Sequence, residues 1–161
     1  MKKSIFILLL FTLLSCSKSD DTSTDTKSGT SYISMKINGV AWKGEVNFFS
    51  ALNTGVYFGG AKIDNNTKTQ TITFAFETIS LSGTNNIVKT SKGGITYVDQ
   101  NTGVSWAAGE SSNGTGTLTV TKSKVITALT HVSATFTIST KDSNGNAVTV
   151  TDGVIYNALA N

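Results

Sequence analysis

His131 is the only histidine of the chain, and it heads an alternating run, residues 132–138, on that run's polar side. A Ser-His-Asp relay needs a base that touches a nucleophile and is oriented by an acid. No Gly-x-Ser-x-Gly elbow supplies that nucleophile, so His131 reads as a surface residue. Zinc catalysis wants three protein ligands, which one histidine without a free cysteine cannot lead. The run Asp142-Ser143-Asn144-Gly145-Asn146 opens like an Asp-x-Asn-x-Asn calcium loop. Ala147 stands where that loop needs glycine, however, and Gly153 where it needs a bidentate glutamate. Asp, Asn and Gly are also what a hairpin tip uses, and the turn is the reading taken. No catalytic residue, cofactor or metal is assigned.

Two further chemistries are open by residue type. A glycosidase needs two carboxylates about 5–9.5 Å apart, one with a raised pKa; Glu45, Glu77, Asp99 and Glu110 are the candidates, and sequence sets no distance between them. Aromatic faces can also stack on a ligand such as a sugar. Trp42 shares a face with Val40, and Trp106 with Val104, so both read as core. Tyr57 and Tyr97 are read as opposing the apolar faces of their strands; they are expected to be exposed and are the candidate ligand-stacking residues.

The elements that must position these residues begin after an address. Lys2 and Lys3 precede an apolar run, residues 5–14, which ends in Leu13-Leu14-Ser15-Cys16. A charged start, a short apolar core and a small residue before the cut describe a secretory signal. As a helix that run spans about 15 Å, against a hydrocarbon core of about 30 Å, so a transmembrane anchor is not expected. The Leu-Leu-Ser-Cys end resembles the lipobox of bacterial lipoproteins. That resemblance implies cleavage before Cys16, diacylation of its thiol and acylation of the new amino terminus. Two or more acyl chains hold a protein stably on a bilayer. Residues 1–15 are therefore read as signal peptide, 16–30 as a lipidated tether and 31–161 as a single β domain. Residues 17–30 of the tether carry no apolar side chain, so this stretch cannot offset ordering entropy by burial, and its root-mean-square reach is about 20 Å. Within it Lys18-Ser19-Asp20-Asp21 resembles the short export signals that carry some lipoproteins to the outer face of the outer membrane.

Charge excludes one class of partner. Of 13 cationic residues, all lysine, Lys2 and Lys3 leave with the signal; 11 then face 10 acids, a side-chain charge of +1. Nucleic-acid binders need clustered cations and favour arginine, and the chain has no arginine. Cys16 is the single cysteine, so acylation leaves no thiol for a disulfide, a metal or a nucleophile.

From Tyr32 onward the recurring signal is period-two alternation. Ile33, Met35 and Ile37 share one face, and Asn38-Gly39 follows as a tight turn because both residues tolerate positive φ. Ile72, Phe74 and Phe76 alternate with Thr71, Thr73 and Ala75; Val132, Ala134, Phe136 and Ile138 alternate with Ser133, Thr135, Thr137 and Ser139. Residues 99–103 and 141–146 are turn chemistry, while residues 82–86 and 109–114 open looser breaks. No window has helical spacing. The expectation is an all-β fold: an antiparallel β-sandwich of about nine or ten short strands, with a closed or partly open β-barrel as the alternative.

Three segments resemble a family of uncharacterised bacterial lipoprotein domains: Met35-Lys36-Ile37-Asn38-Gly39-Val40-Ala41-Trp42, Gly116-Thr117-Leu118-Thr119-Val120-Thr121-Lys122, and residues 132–138 followed by residues 148–154. Ala134 departs from the glycine common before the Thr-Phe pair of the penultimate strand. The resemblance implies a secreted all-β module and carries no assigned activity.

The functional expectation is a lipid-anchored lipoprotein of the cell envelope, a non-enzymatic binding or interaction module on the outer membrane. Its partners are the membrane, through Cys16, and a glycan or envelope protein. The alternatives are an envelope glycan hydrolase using two carboxylates and a small barrel holding an apolar ligand.

Overall fold

The computed structural model describes residues 31–52, 55–64, 67–126 and 129–159. Cys16, the signal and the tether lie outside the described residues. Ten strands follow in order: β1 (Tyr32–Ile37), β2 (Val40–Leu52), β3 (Gly55–Asp64), β4 (Thr67–Phe76), β5 (Gly83–Ile87), β6 (Gly93–Asp99), β7 (Ser105–Gly109), β8 (Thr115–Ile126), β9 (Leu129–Lys141) and β10 (Ala147–Leu159). All pair antiparallel in one sheet, ordered β5-β8-β9-β10-β1-β2-β3-β4-β6-β7. The chain is thus all-β, and its sheet curls into a nearly closed barrel, the alternative named from sequence, rather than two facing sheets.

The register shows how the barrel closes. β6 pairs with β7 from Gly94↔Gly109 to Val98↔Ser105. Carried back residue for residue past Gly94, that same register reaches Ile87↔Gly116 and Gly83↔Val120, which are the pairs β5 makes with β8. β5 and β6 therefore lie end to end, as do β7 and β8, forming one long hairpin that is unpaired in its middle. In cross-section the barrel has eight staves running up and down.

The seam lies where β7 meets the end of β9. Trp106 bridges Asp142, the Ser143 N–H donates to Ser105 O at 2.8 Å, and the Thr140 hydroxyl donates to Ala107 O at 2.6 Å. β8 pairs with β9 only as far as Thr115↔Ser139, so β7 takes up the stretch of β9 that β8 leaves. An edge covered in this way offers no free template for another chain.

Local chemistry explains the corners. Asn38 (φ 49°) and Gly39 (φ 82°) join β1 to β2 with two consecutive left-handed residues, the tight hairpin turn that Asn-Gly favours. Asn38 Oδ1 also accepts the Thr149 N–H at 2.8 Å, tying the turn to β10. The register of β10 shifts twice against β9, between Val150 and Gly153 and between Ile155 and Ala158. Asp152 (φ 52°) and Asn157 (φ 51°) sit at these shifts, where bulges sharpen the bend of a barrel wall.

Side chains fill the interior. Phe58 stacks on Phe74 with centroids 4.5 Å apart, and Phe74 meets Phe136 edge-on at 5.1 Å. Ile33, Ile72, Ile95, Leu118, Val150 and Ile155 complete a buried layer around them. An eight-stave barrel is just wide enough to be filled by its own side chains.

Candidate functional site

Four connections lie at one end of the barrel: β1–β2, β3–β4, β6–β7 and β9–β10. Between them opens a pocket of about 340 Å³, at the small end of the roughly 300–1,000 Å³ usual for ligand sites. Its wall is aromatic. Trp42 arrives from β2, Tyr97 from β6 and Trp106 from β7. Tyr97 stacks on Trp106 with centroids 5.1 Å apart and planes 11° apart; Trp42 meets Tyr97 edge-on at 6.4 Å. Ile37, Val40, Ala41, Val104 and Val148 line the remaining apolar surface.

The polar groups are unevenly satisfied. The indole N–H groups of Trp42 and Trp106 are buried without a hydrogen-bond partner, the two such side-chain atoms among the described residues. Leaving a buried donor unpaired costs about 1–3 kcal/mol, and here two occur in the wall of one pocket. Asp99 is well supplied. Its Oδ1 accepts the N–H groups of Asn101 at 2.9 Å and Thr102 at 3.4 Å, and its Oδ2 accepts Gln70 Nε2 at 3.1 Å. Burial pushes the Asp99 carboxyl up, but donors on Asn101, Thr102 and Gln70 outweigh that and hold it below the usual carboxylate range. Burial, seconded by the Asp99 charge, pushes the Tyr97 phenol up to about 12.

Asp142 is the second carboxylate of the pocket lining. It is held low by Asn146, whose side-chain amide donates to it at 3.1 Å, and by backbone N–H groups of Asn144 and Asn146 at 2.9 and 2.8 Å. Those bonds turn the carboxylate inward on its own loop, the geometry of a hairpin tip. Among the described residues no three His, Cys, Asp or Glu side chains converge to hold a metal.

The structure separates the two tyrosines proposed from sequence. Tyr57 lies half-buried on the outer face of β3. Tyr97 does not stand exposed: it points inward, 6% exposed, between the two tryptophans. Ile95, Tyr97 and Asp99 share the inner face of β6, and Val98 is the residue turned out, 41% exposed. Parity counted from Ile95 places Tyr97 inside; the apolar Val98 beside it obscured that, because an outward valine reads as core. Trp42 and Trp106 are buried, as their spacing implied, yet they also line the pocket. A core residue at a barrel end is a wall residue too, and strand periodicity carries no signal of how near an end a residue lies. His131 is half-buried, its Nδ1 2.9 Å from Asn157 Oδ1. Of the four acids named as candidates, Asp99 alone lines the pocket; Glu77 lies beside Lys92 at 3.8 Å, and Glu45 and Glu110 are exposed.

A second aromatic pair stands at the opposite end, where Tyr32 stacks on Tyr156 at 5.1 Å with Lys43 Nζ 4.1 Å from the Tyr32 centroid. Compared with family models, with curated proteins and with solved structures, the chain matches none.

Proposed function

We propose that this protein is a lipid-anchored, non-enzymatic binding domain of the bacterial cell envelope, held at the outer membrane through Cys16 and using the barrel-end pocket to bind its ligand. The supporting observation is where that pocket lies relative to the point at which the chain enters the barrel. Ser31 precedes β1 at the end marked by Tyr32 and Tyr156, with its backbone O accepting the Val46 N–H at 3.0 Å. The pocket rim, Asn38 and Val40, lies past the other end of β1. At about 3.4 Å per residue, β1 sets the two ends about 17 Å apart. A tether of residues 16–30 joins the barrel at the end opposite the pocket, which leaves the pocket mouth clear of the attachment point.

The pocket chemistry supports binding over hydrolysis. Acid–base cleavage of a glycoside needs one carboxyl kept protonated, whereas Asp99 and Asp142 are both held toward their ionised forms. The reading of a barrel that carries an apolar ligand inside is disfavoured by Phe58, Phe74 and Phe136, which occupy that volume. The anchor is tested by replacing Cys16 with Ala and fractionating cells: the variant should move to the soluble fraction, and unchanged membrane retention would overturn the anchor.

A further inference from the structure

Resting on the proposed anchor at Cys16, we propose that the barrel end opposite the pocket is a lipid-binding surface, with the β2–β3 and β8–β9 hairpins seated in the interfacial layer of the bilayer. The connections at the two ends differ in kind. At the pocket end, residues 64–67, 99–103 and 141–146 join Asn38-Gly39 in a composition rich in Asp, Asn and Gly, that of solvated turns. At the other end the hairpin arms carry Phe48, Phe49 and Leu52 on β2, Val125 and Ile126 on β8, and Leu129 on β9. Both hairpins run on past the level at which the tether enters. β2 continues from Glu45, the partner of Tyr32, to Leu52 opposite Gly55, about 20 Å along the strand. β8 and β9 continue past the Leu159↔His131 pair to Ile126↔Leu129.

Charge and the point of tether attachment select the occupant. From Val46 to Ile63 and from Ser111 to Lys141, spans that include both hairpins, the sequence holds no acid, and β8 carries Lys122 and Lys124. Two acids stand near this end, Glu45 opposite Tyr32 and Glu77 with Lys92 Nζ at 3.8 Å. The hairpins themselves suit the phosphates of lipid headgroups. Tyr32 stacks on Tyr156 at this end, with Lys43 Nζ over the Tyr32 ring; tyrosine and lysine are side chains that settle where lipid meets water. Residues 16–30, with a reach of about 20 Å, join the barrel here, at Ser31. An acylated Cys16 keeps a bilayer within that reach, which raises its effective concentration over that of a diffusing partner. The contact stops at the interface. Among the described residues β8 pairs beyond Val120 with β9 alone, and an open strand edge is not tolerated in hydrocarbon.

Spin labelling tests this on the full chain, expressed with its signal, purified from membranes and returned to vesicles of phosphatidylethanolamine and phosphatidylglycerol. Cys16 is the single cysteine, so with the anchor in place an introduced cysteine is the only free thiol. Leu52→Cys and Ile126→Cys label the hairpins, Asn47→Cys and Ser123→Cys label exposed positions behind them, and Asn144→Cys labels the pocket end. Seated about 5–10 Å into the interface, labels at 52 and 126 should show a ratio of oxygen to nickel-chelate contact about threefold or more above that at 144. Labels at 52 and 126 as wet as the one at 144 overturn the proposal. Where far-UV circular dichroism shows that a hairpin variant has lost its strands, the same comparison at 47 and 123 decides. Dry labels at 52 with spin–spin broadening that fades on dilution with unlabelled chain place a second copy there and overturn the bilayer as occupant. Label uptake by the parent chain reports a free Cys16 thiol and sinks the anchor alone. The comparison is then repeated in Cys16→Ser, where dry hairpin labels keep the lipid-binding surface and wet ones remove it as well.

Discussion

Asp99 does two jobs with one carboxylate. It closes the β6–β7 loop by accepting N–H groups from Asn101 and Thr102, and it places a negative charge in the pocket. Its folded pKa lies below the ordinary 3.8, so the unfolded chain takes up the proton first as pH falls. The stability this supplies is complete above the ordinary value and is lost as pH drops through the folded one. Thermal unfolding midpoints should be level from neutral pH to about 5 and should fall below about 4, and Asp99→Asn should flatten that acid limb. An unchanged limb in the variant would assign the acid sensitivity to other carboxylates. Tyr97 has the opposite sign. Its phenol is pushed from 10.0 to about 12, so its contribution is present below pH 10.0 and is lost as pH climbs towards 12. In a spectrophotometric titration Tyr97→Phe should delete the last phenolate to appear. At this scale the sequence was legible for residue type and not for depth: Trp42 and Trp106 were readable as buried, while the outward Val98 disguised the parity of Tyr97.

Among the elements, the split hairpin formed by β5 with β6 and β7 with β8 governs how the wall holds together. Residues 88–92 and 110–114 interrupt it, each with local bonds of its own: Ser91 N–H to Val88 O at 2.8 Å, and Ser112 N–H to Gly109 O at 3.1 Å. Ile87 is fully buried at the edge of the interruption, and a Cβ on Gly109 would lie 3.1 Å from its Cγ2. It bridges the two paired halves. Ile87→Ala should cost about 2–5 kcal/mol and Ile87→Val about 0.5–1.5 kcal/mol, measured by chemical denaturation; an alanine loss well under the range would mean the gap collapses around the cavity. The strongest elements were plain in the sequence, because Asn38-Gly39 fixes a turn and residues 132–138 alternate without a break. The middle was not plain, since two interruptions make one hairpin register look like four unrelated short strands. Only pairing between distant residues, Gly83 with Val120 and Gly94 with Gly109, shows that they are collinear.

Closure is a property of the whole molecule, and alternation cannot specify it: a sandwich and a barrel both bury every second residue. What selects the barrel is the side-on meeting of β7 with the end of β9, between segments more than thirty positions apart in the chain, such as Ala107 and Thr140 (|i−j| = 33). The Thr140 hydroxyl makes one side-chain bond of that seam, donating at 2.6 Å to Ala107 O, beside the backbone bond from Ser143 to Ser105 and the Ser105 N–H donated to Ser143 Oγ at 3.3 Å. Thr140→Val keeps the side-chain shape and removes the donor, leaving the Ala107 carbonyl short of a partner at a cost of about 1–3 kcal/mol. The pocket sits directly beneath this seam, because Trp106 and Asp142 belong both to the bridge that closes the barrel and to the lining. Loosening the seam should therefore speed amide exchange in β7 and at the β9–β10 tip, and should change tryptophan emission. The ladder between β3 and β4, across the barrel, should keep its protection because its pairs, such as Phe58 with Phe74, do not touch the seam. If exchange instead rose equally in both walls, the barrel would open as one unit, and the strength of the pocket could not be tuned apart from the stability of the fold.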